Sequence, residues 1–331
     1  MQNLSPWMAR NRWIWSLIGI LIIWGVLSLI TERLSLHSLS GVVASASFLV
    51  LAALGQMFVV TTGRGNIDLS IASVIALSAF VSLIVIDGSD ERIVLGLLAV
   101  LGIGLAVGAM NAVLVLLFRI PAMIATLATG YVLATTTLIA NRSIAGAVAS
   151  PTLAYLAGGR VWGIPVIFLI ALVAVTLSSL VLGKLAYGRM LSATGQNARA
   201  ARLSGIKTGR VTATAFLISS VLAALDGALL SAYVGGAFLE MGAPYLLQSV
   251  GAVVLGGSLI FGGSSTALGT LFGCILLVLI VTTMQIAGLP PGTQDIVQGV
   301  AIIGVLALAG RPVLKRAARL KPMSEQTAGA Q

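Results

Sequence analysis

Long apolar runs separated by short polar connections dominate the chain. Ten runs are read, at 13–30, 42–62, 71–86, 93–118, 123–139, 164–182, 211–233, 246–259, 268–286 and 296–309. An α-helix rises about 1.5 Å per residue, so about 20 apolar residues cross the roughly 30 Å hydrocarbon layer of a bilayer. The pattern predicts an all-α, polytopic membrane protein with about ten transmembrane helices. The third, eighth and tenth runs are short for a full crossing, which predicts tilted or broken helices, with the breaks near spans 2–3 and 8–9. The domain reading is a cytoplasmic N-terminus over 1–12, a transmembrane body over 13–310 with a cytoplasmic loop at 183–210, and a basic cytoplasmic tail over 311–331.

Composition narrows the class. The 331 residues are 58% hydrophobic and only 8% charged, whereas a soluble domain carries about 25% charge. A soluble fold this poor in charge could not cover its surface. The single cysteine, Cys274, permits no internal disulfide and no thiolate metal cluster. The lone His37 falls near the end of the first span and reads as an interface residue rather than a ligand. The first run is long for a signal peptide and lacks a small-residue cleavage site, so it reads as a retained helix.

The net charge of +10 is topological information rather than a nucleic-acid signal. With ten spans and the N-terminus inside, only Arg33, Arg92, Arg142 and Arg160 of the 19 cations fall outside. The outer loops hold Glu32, Asp87, Asp90, Glu91, Glu240 and Asp295. Cytoplasmic loops carry the excess of Lys and Arg in membrane proteins, so both termini are expected in the cytoplasm. Asn141 to Gly163 is the longest outer connection, and Asp87-Gly88 and Leu289-Pro290-Pro291-Gly292 read as turns.

Four stretches draw attention. In Thr61–Ser73, TTGRGNIDLSIAS, Gly63 and Gly65 break one apolar run before the next begins. Non-helical backbone at membrane depth is tolerated only where protein or water satisfies it. Asn66 or Asp68 can cap the following helix, and Arg64 is placed to pair with Asp68. The other reading of Asn66 and Asp68 puts them on a solute path. In Gln248–Thr270, the pairs Gly256-Gly257 and Gly262-Gly263 predict a second unwound turn on the inner side, and Gln248 is a second path candidate. Asp226 lies inside the seventh run, where a carboxylate costs about 3 kcal/mol to insert. It serves either a structural hydrogen bond or the path. Gly104 and Gly108 form a GxxxG pair, read as ordinary helix packing or a dimer face.

The fourth stretch is Lys184 to Arg210, KLAYGRMLSATGQNARAARLSGIKTGR, with six cations and no acid. Ser192 to Asn197 reads as a turn, after which Asn197 caps a short helix that ends at Gly205. Ala200 and Ala201 are expected on the surface of that helix, letting it enter a groove closely, with Arg199 and Arg202 pairing with acids of a partner. The alternative is a solvated loop whose cations serve topology alone.

At these residues the chain resembles the permease subunits of bacterial ABC importers for monosaccharides, the ribose, xylose and galactose class, which are related to branched-chain amino acid permeases. GRMLSATGQNARAARLSGI is similar to that family's cytoplasmic coupling motif, matching at Gly188, Arg189, Gly195, Asn197, Ala200, Ala201, Gly205 and Ile206. NIDLSIAS resembles the family's GGIDLSVGS, and VVLGGSLIFGG its VVLGGTSLFGG. The sequence departs from the family at Asn66, Ile71-Ala72, Leu246 and Gln248, near the expected path. The resemblance implies a monosaccharide importer. It further implies a cytoplasmic ATPase subunit that binds ATP and Mg, a periplasmic sugar-binding protein, and a second permease copy or paralogue. It also implies a bacterial inner-membrane location and an ATPase-coupling role for Gly188, Arg189, Gly195, Asn197, Arg199, Ala200, Ala201 and Gly205. The chain has no GxxxxGK[ST] phosphate loop and is expected to hold no cofactor and no metal of its own. A sugar alcohol, autoinducer-type sugar or nucleoside stays open as the solute. An ion-coupled secondary transporter is the alternative of a different class. It would call for further intramembrane acids or histidines, which this sequence lacks.

Overall fold

The structure, a computed structural model, describes residues 13–31, 36–143, 148–300 and 303–304. The expected N-terminal segment 1–12, Glu32, Arg33, the side chain of His37, most of 301–309 and the basic tail 311–331 lie outside the described residues.

The described chain is almost wholly helical: α1 (Ile14–Thr31), α2 (Leu36–Thr61), α3 (Ile71–Ile86), α4 (Ile93–Leu116), α5 (Ala122–Ala140), α6 (Pro151–Gly158), α7 (Val166–Gly183), α8 (Ala186–Gln196), α9 (Ala198–Leu203), α10 (Thr208–Val234), α11 (Ala243–Leu255) and α12 (Ala267–Ile286). Residues 291–300 are again helical. Seven helices (α1, α2, α4, α5, α7, α10 and α12) are long and apolar enough to cross a membrane, and α3 and α11 are shorter apolar helices. With 16 and 13 residues, α3 and α11 reach only about 24 and 20 Å, as expected for the third and eighth runs. A glycine-broken segment precedes α3 and another follows α11.

The bundle is built around α2 and α10. Phe48, Leu54, Met57, Phe58, Val59 and Val60 of α2 are fully buried. Helix α10 packs against α2, α3 and α4, while α12 packs against α1, α2 and α11. Gly104 and Gly108 are needed for the α4–α10 approach. A Cβ on Gly104 would sit 2.7 Å from the Val221 Cα, and one on Gly108 would sit 2.7 Å from the Leu217 Cα. The GxxxG pair therefore packs within the chain. Leu29, Val94, Leu98, Leu117, Phe118, Ile124 and Val132 are each at least 60% exposed. On a soluble protein such a belt would be an anomaly; on a membrane protein it is the lipid face.

The long connection after α5 holds more order than its polar, Gly-rich sequence suggested. Ser150 accepts from the Leu153 N–H with Pro151 in the first turn, which starts α6. Asp90 clasps this helix, accepting from the Thr152 hydroxyl at 2.8 Å and its N–H at 3.1 Å. These two bonds hold its carboxyl below the usual carboxylate range. A two-residue hairpin, Arg160–Val161 with Ile164–Pro165, then leads into α7.

Candidate functional site: a glycine-clasped helical corner

Helix α7 ends at Gly183, and the chain turns sharply into α8. Gly188 makes the turn possible, since a Cβ there would meet the Val181 and Leu182 carbonyls. Arg189 donates to the Lys184 carbonyl at 3.2 Å, so the guanidinium braces this corner. Tyr187 donates to the Val211 carbonyl at 3.2 Å, tying α8 to the start of α10. Burial pushes its phenol well above the ordinary range.

Ser192 to Gln196 is helical, not the turn expected from Ser192-Ala-Thr-Gly195. Buried Leu191 and Thr194 fix this last part of α8 against the bundle, and tertiary packing overrides the weak helix propensity of Ser, Thr and Gly there. The break falls at Asn197 alone. Its backbone is extended and its Oδ1 accepts from the Arg199 and Ala200 N–H groups at 3.0 and 3.1 Å. This N-cap starts α9, as its position predicted. Helix α9 ends at Leu203, and Gly205, at φ +84°, turns the chain away.

The two faces of α9 differ from expectation. Ala198 and Ala201 are buried against the bundle, so Ala201 is not a surface residue. Arg199, Ala200 and Arg202 are exposed, and Leu203 is 84% exposed at the tip. Residues three apart lie on the same side of a helix, so Ala201 turns to the bundle with Ala198 and leaves Ala200 outside. The outward face therefore reads Arg199, Ala200, Arg202, Leu203: two cations, a small residue and an unpartnered apolar knob.

Both broken segments converge on α8. Gly195 leaves no room for a Cβ, which would meet the Thr61 carbonyl and the Gly263 N–H. A Cβ on Gly63 would lie 2.7 Å from the Gly195 carbonyl, and one on Gly262 would meet the Gly63 backbone. Gly63, Gly262 and Gly263 all have positive φ. The Gly263 N–H donates to the Thr61 carbonyl at 3.0 Å, and the Thr61 and Ser265 hydroxyls are hydrogen-bonded at 2.8 Å. Three stretches 60 to 200 residues apart thus touch backbone to backbone.

The segment between α2 and α3 is held on its other side by side chains. Asp68 is 1% exposed. Its Oδ1 accepts from the Ser70 N–H at 3.0 Å and the Ser70 hydroxyl at 2.6 Å, and its Oδ2 accepts from the Ser219 hydroxyl at 2.8 Å. The Asn111 amide donates to the Ser70 Oγ, the Asp68 N–H to Gln56, and the Leu69 N–H to Thr126. The expected Arg64–Asp68 pair does not form. The sole ion pair among the described residues is Arg92 with Asp87 at 3.7 Å. Three serine donors satisfy the buried carboxylate, whereas Arg64 stays outside at φ +61°. Asn66 does not cap α3 either; it donates to the Thr62 hydroxyl at 2.9 Å.

The remaining path candidates lie elsewhere. Asp226 is fully buried on α10, and neither carboxylate oxygen has a hydrogen-bond partner. Gln248 donates to Gln298 at 2.9 Å. With Ser45, Tyr245, Thr282 and Gln285 it lines a cavity of about 350 Å³ between α2, α10, α11 and α12. Gln248 and Tyr245 share this cavity, while Asn66 and Asp68 belong to the other broken segment. Among the described residues no cluster of His, Cys, Asp or Glu could hold a metal ion. Sequence reasoning missed Leu203, Tyr187, Gln56 and Ser219. Only Leu203 carried a local signal, as an apolar residue beside cations at the end of a capped helix.

Residues 38–306 match the family described as "Branched-chain amino acid transport system / permease component". Similar proteins include the autoinducer 2 import system permease protein LsrC of Enterobacter sp. (strain 638), 32% identical over 310 residues, 92% of this chain and 88% of the relative. The LsrC of Yersinia enterocolitica serotype O:8 / biotype 1B (strain NCTC 13174 / 8081) is 32% identical over 311 residues, 92% of this chain and 84% of the relative. That of Yersinia pseudotuberculosis serotype O:1b (strain IP 31758) is 31% identical over 310 residues, 92% and 86% respectively. No solved structure matches the chain.

Proposed function

The chain belongs to the branched-chain amino acid transport system / permease component family, and we propose that it is the membrane subunit of an ATP-binding cassette importer that brings a small sugar-like solute from periplasm to cytoplasm. It is a multi-pass protein of the bacterial inner membrane. In this reading ten spans cross it, the tenth beginning in the helical residues 291–300, and the cation distribution sets both termini in the cytoplasm. The partners are a cytoplasmic ATPase, which holds ATP and Mg, a periplasmic sugar-binding protein, and a second permease copy or paralogue. This chain contributes no hydrolytic chemistry.

The observation that carries the reading is the backbone contact of Gly63, Gly195 and Gly262–Gly263 behind the exposed face of α9. An ATPase that grips Leu203 and Ala200 and pairs its acids with Arg199 and Arg202 moves α8 with it. Close-packed backbone transmits displacement without slack, so the broken segments before α3 and after α11 follow. Their movement is what alternates access, on a path that takes in Asp226 and Gln248. The relatives favour an autoinducer-type sugar as the solute, and a monosaccharide remains compatible. Uncharged amides and hydroxyls around the 350 Å³ cavity suit a neutral polyhydroxylated ligand.

Reconstitution of the permease with its ATPase and binding protein in proteoliposomes tests this. Uptake is expected to need both partners and ATP, and to favour an autoinducer-type sugar over ribose. Uptake driven by an ion gradient without the ATPase would establish a secondary transporter instead.

A further inference from the structure

A second feature lies beside the coupling element. A recess of about 860 Å³ opens between the segment after α2, the α4–α5 turn, α9 and the start of α10. Arg64, Arg119, Arg202, Lys207 and Arg210 line it, with no acidic residue. None of the five has a carboxylate partner among the described residues. Arg64 and Arg119 are non-glycine residues with left-handed backbones, at φ 61° and 58°, from segments far apart in sequence. Thr208, Gly209 and Arg210, the first turn of the 27-residue α10, also line the recess. Free N–H groups at such a helix start favour anions. Thr212 adds an independent sign. It is 7% exposed and lines the recess, and its hydroxyl makes no hydrogen bond within the described residues.

The rim indicates where the anion comes from. Leu116 and Met123 line the recess and are themselves exposed, and their chain neighbours Leu117, Phe118 and Ile124 are each more than 60% exposed on the lipid-facing belt. The recess is therefore continuous with the surface that acyl chains cover. We propose that it binds the phosphate headgroup of an anionic phospholipid, whose chains run over Leu117, Phe118 and Ile124. A phosphate neutralises several cations at once and accepts from Thr212 and the α10 N-terminus together. A single carboxylate of a partner protein would leave most of the five cations unpaired. Because Arg202 belongs to α9, the headgroup abuts the coupling helix itself. The placement in the inner leaflet rests on the orientation proposed above, but the binding does not depend on transport.

The test is lipid binding to the purified full chain in detergent, by native mass spectrometry. Phosphatidylglycerol, phosphatidylcholine and glycerol 3-phosphate are each titrated. Phosphatidylglycerol is expected to bind at least about tenfold tighter than phosphatidylcholine. Each juxtamembrane cation is worth about 1 kcal/mol toward an anionic lipid, so the double variant Arg64→Gln/Arg119→Gln is expected to lose about thirtyfold. The control Lys184→Gln/Arg199→Gln removes two cations outside the recess and is expected to change binding less than about twofold. Unchanged thermal melting of both variants keeps the comparison valid, and Thr212→Val supplies a neutral variant that is expected to weaken binding as well. Equal affinity for the two lipids, or equal loss in both double variants, overturns the site. Glycerol 3-phosphate binding as tightly as the lipid overturns the membrane source and makes the recess a soluble-anion site. Headgroup-independent lipid binding with intact ATP-driven uptake would remove this proposal and leave the permease reading standing.

Discussion

The two glycine-broken segments occupy similar places but are held by different means. Between α2 and α3 the break is knotted by side chains: Asp68 takes donors from Ser70 and Ser219, with Asn111, Gln56 and Thr126 completing the set. Between α11 and α12 the break relies on missing side chains, with Gly256 against Gly269 and Gly262–Gly263 against Gly63, Gly195 and Gln196. The first segment is moored to four helices of the bundle. The second is moored to the first and to α8. A push on α8 therefore loads a joint with one anchored side and one side free to follow. Asp226 sharpens the contrast: it is as buried as Asp68, yet neither of its oxygens has a donor. A buried carboxylate whose two oxygens are both satisfied, as in Asp68, stabilises the fold, whereas one without donors, as in Asp226, is a cost.

The comparison can be broken at several points. The largest effect is expected for Gly195→Val, which drives a branched side chain into the Thr61 carbonyl and Gly263 N–H. Overpacking of this kind costs about 3 kcal/mol, so thermal melting in detergent and uptake are both expected to fall sharply. Near-normal melting would mean that the joint is loose. Asp68→Ala follows. It leaves Ser70 and Ser219 without their buried acceptor, a loss of about 2 kcal/mol in chemical denaturation. Asn197→Ala is expected to cost about 1 kcal/mol, confined to α9. Hydrogen exchange at the Arg199 and Ala200 amides should quicken while the amides of α2 and α10 keep their protection. Arg64→Gln is the smallest, within about 0.5 kcal/mol. A loss comparable to that of Asp68→Ala would restore the ion pair that the spacing suggested.

Much of this was legible in the chain because glycine and capping signals are local. Gly63, Gly65, Gly256-Gly257 and Gly262-Gly263 announce breaks wherever they interrupt apolar runs, and Asn197 announces a helix start. The partners of those signals were not legible. Ser219 lies 151 residues from Asp68, and no local pattern distinguishes it from the other serines of an apolar helix. The nearby Arg64 was therefore the natural but wrong candidate. The two faces of α9 were hidden for another reason: six residues hold too few repeats of the helical period to tell which of the like alanines, Ala200 or Ala201, faces the bundle. Leu203 did carry a local signal, an apolar residue among cations, but in a chain this rich in leucine that signal gained meaning only once α9 was seen to face away from the bundle.

The central claim is that the outward face of α9 is where ATP-driven motion enters, and that α8 only relays it. Substitution at Gly195 cannot test this cleanly, because it damages the joint as well. Leu203→Asp can, since Leu203 is 84% exposed and nothing in the fold leans on it. The decisive measurement is ATP-dependent solute uptake by the reconstituted complex carrying Leu203→Asp, read beside the melting temperature of the isolated permease. The account predicts a melting temperature within about 2 °C of the parent and uptake reduced at least about tenfold. Unchanged uptake at unchanged stability would contradict it, and would move the point of coupling away from α9.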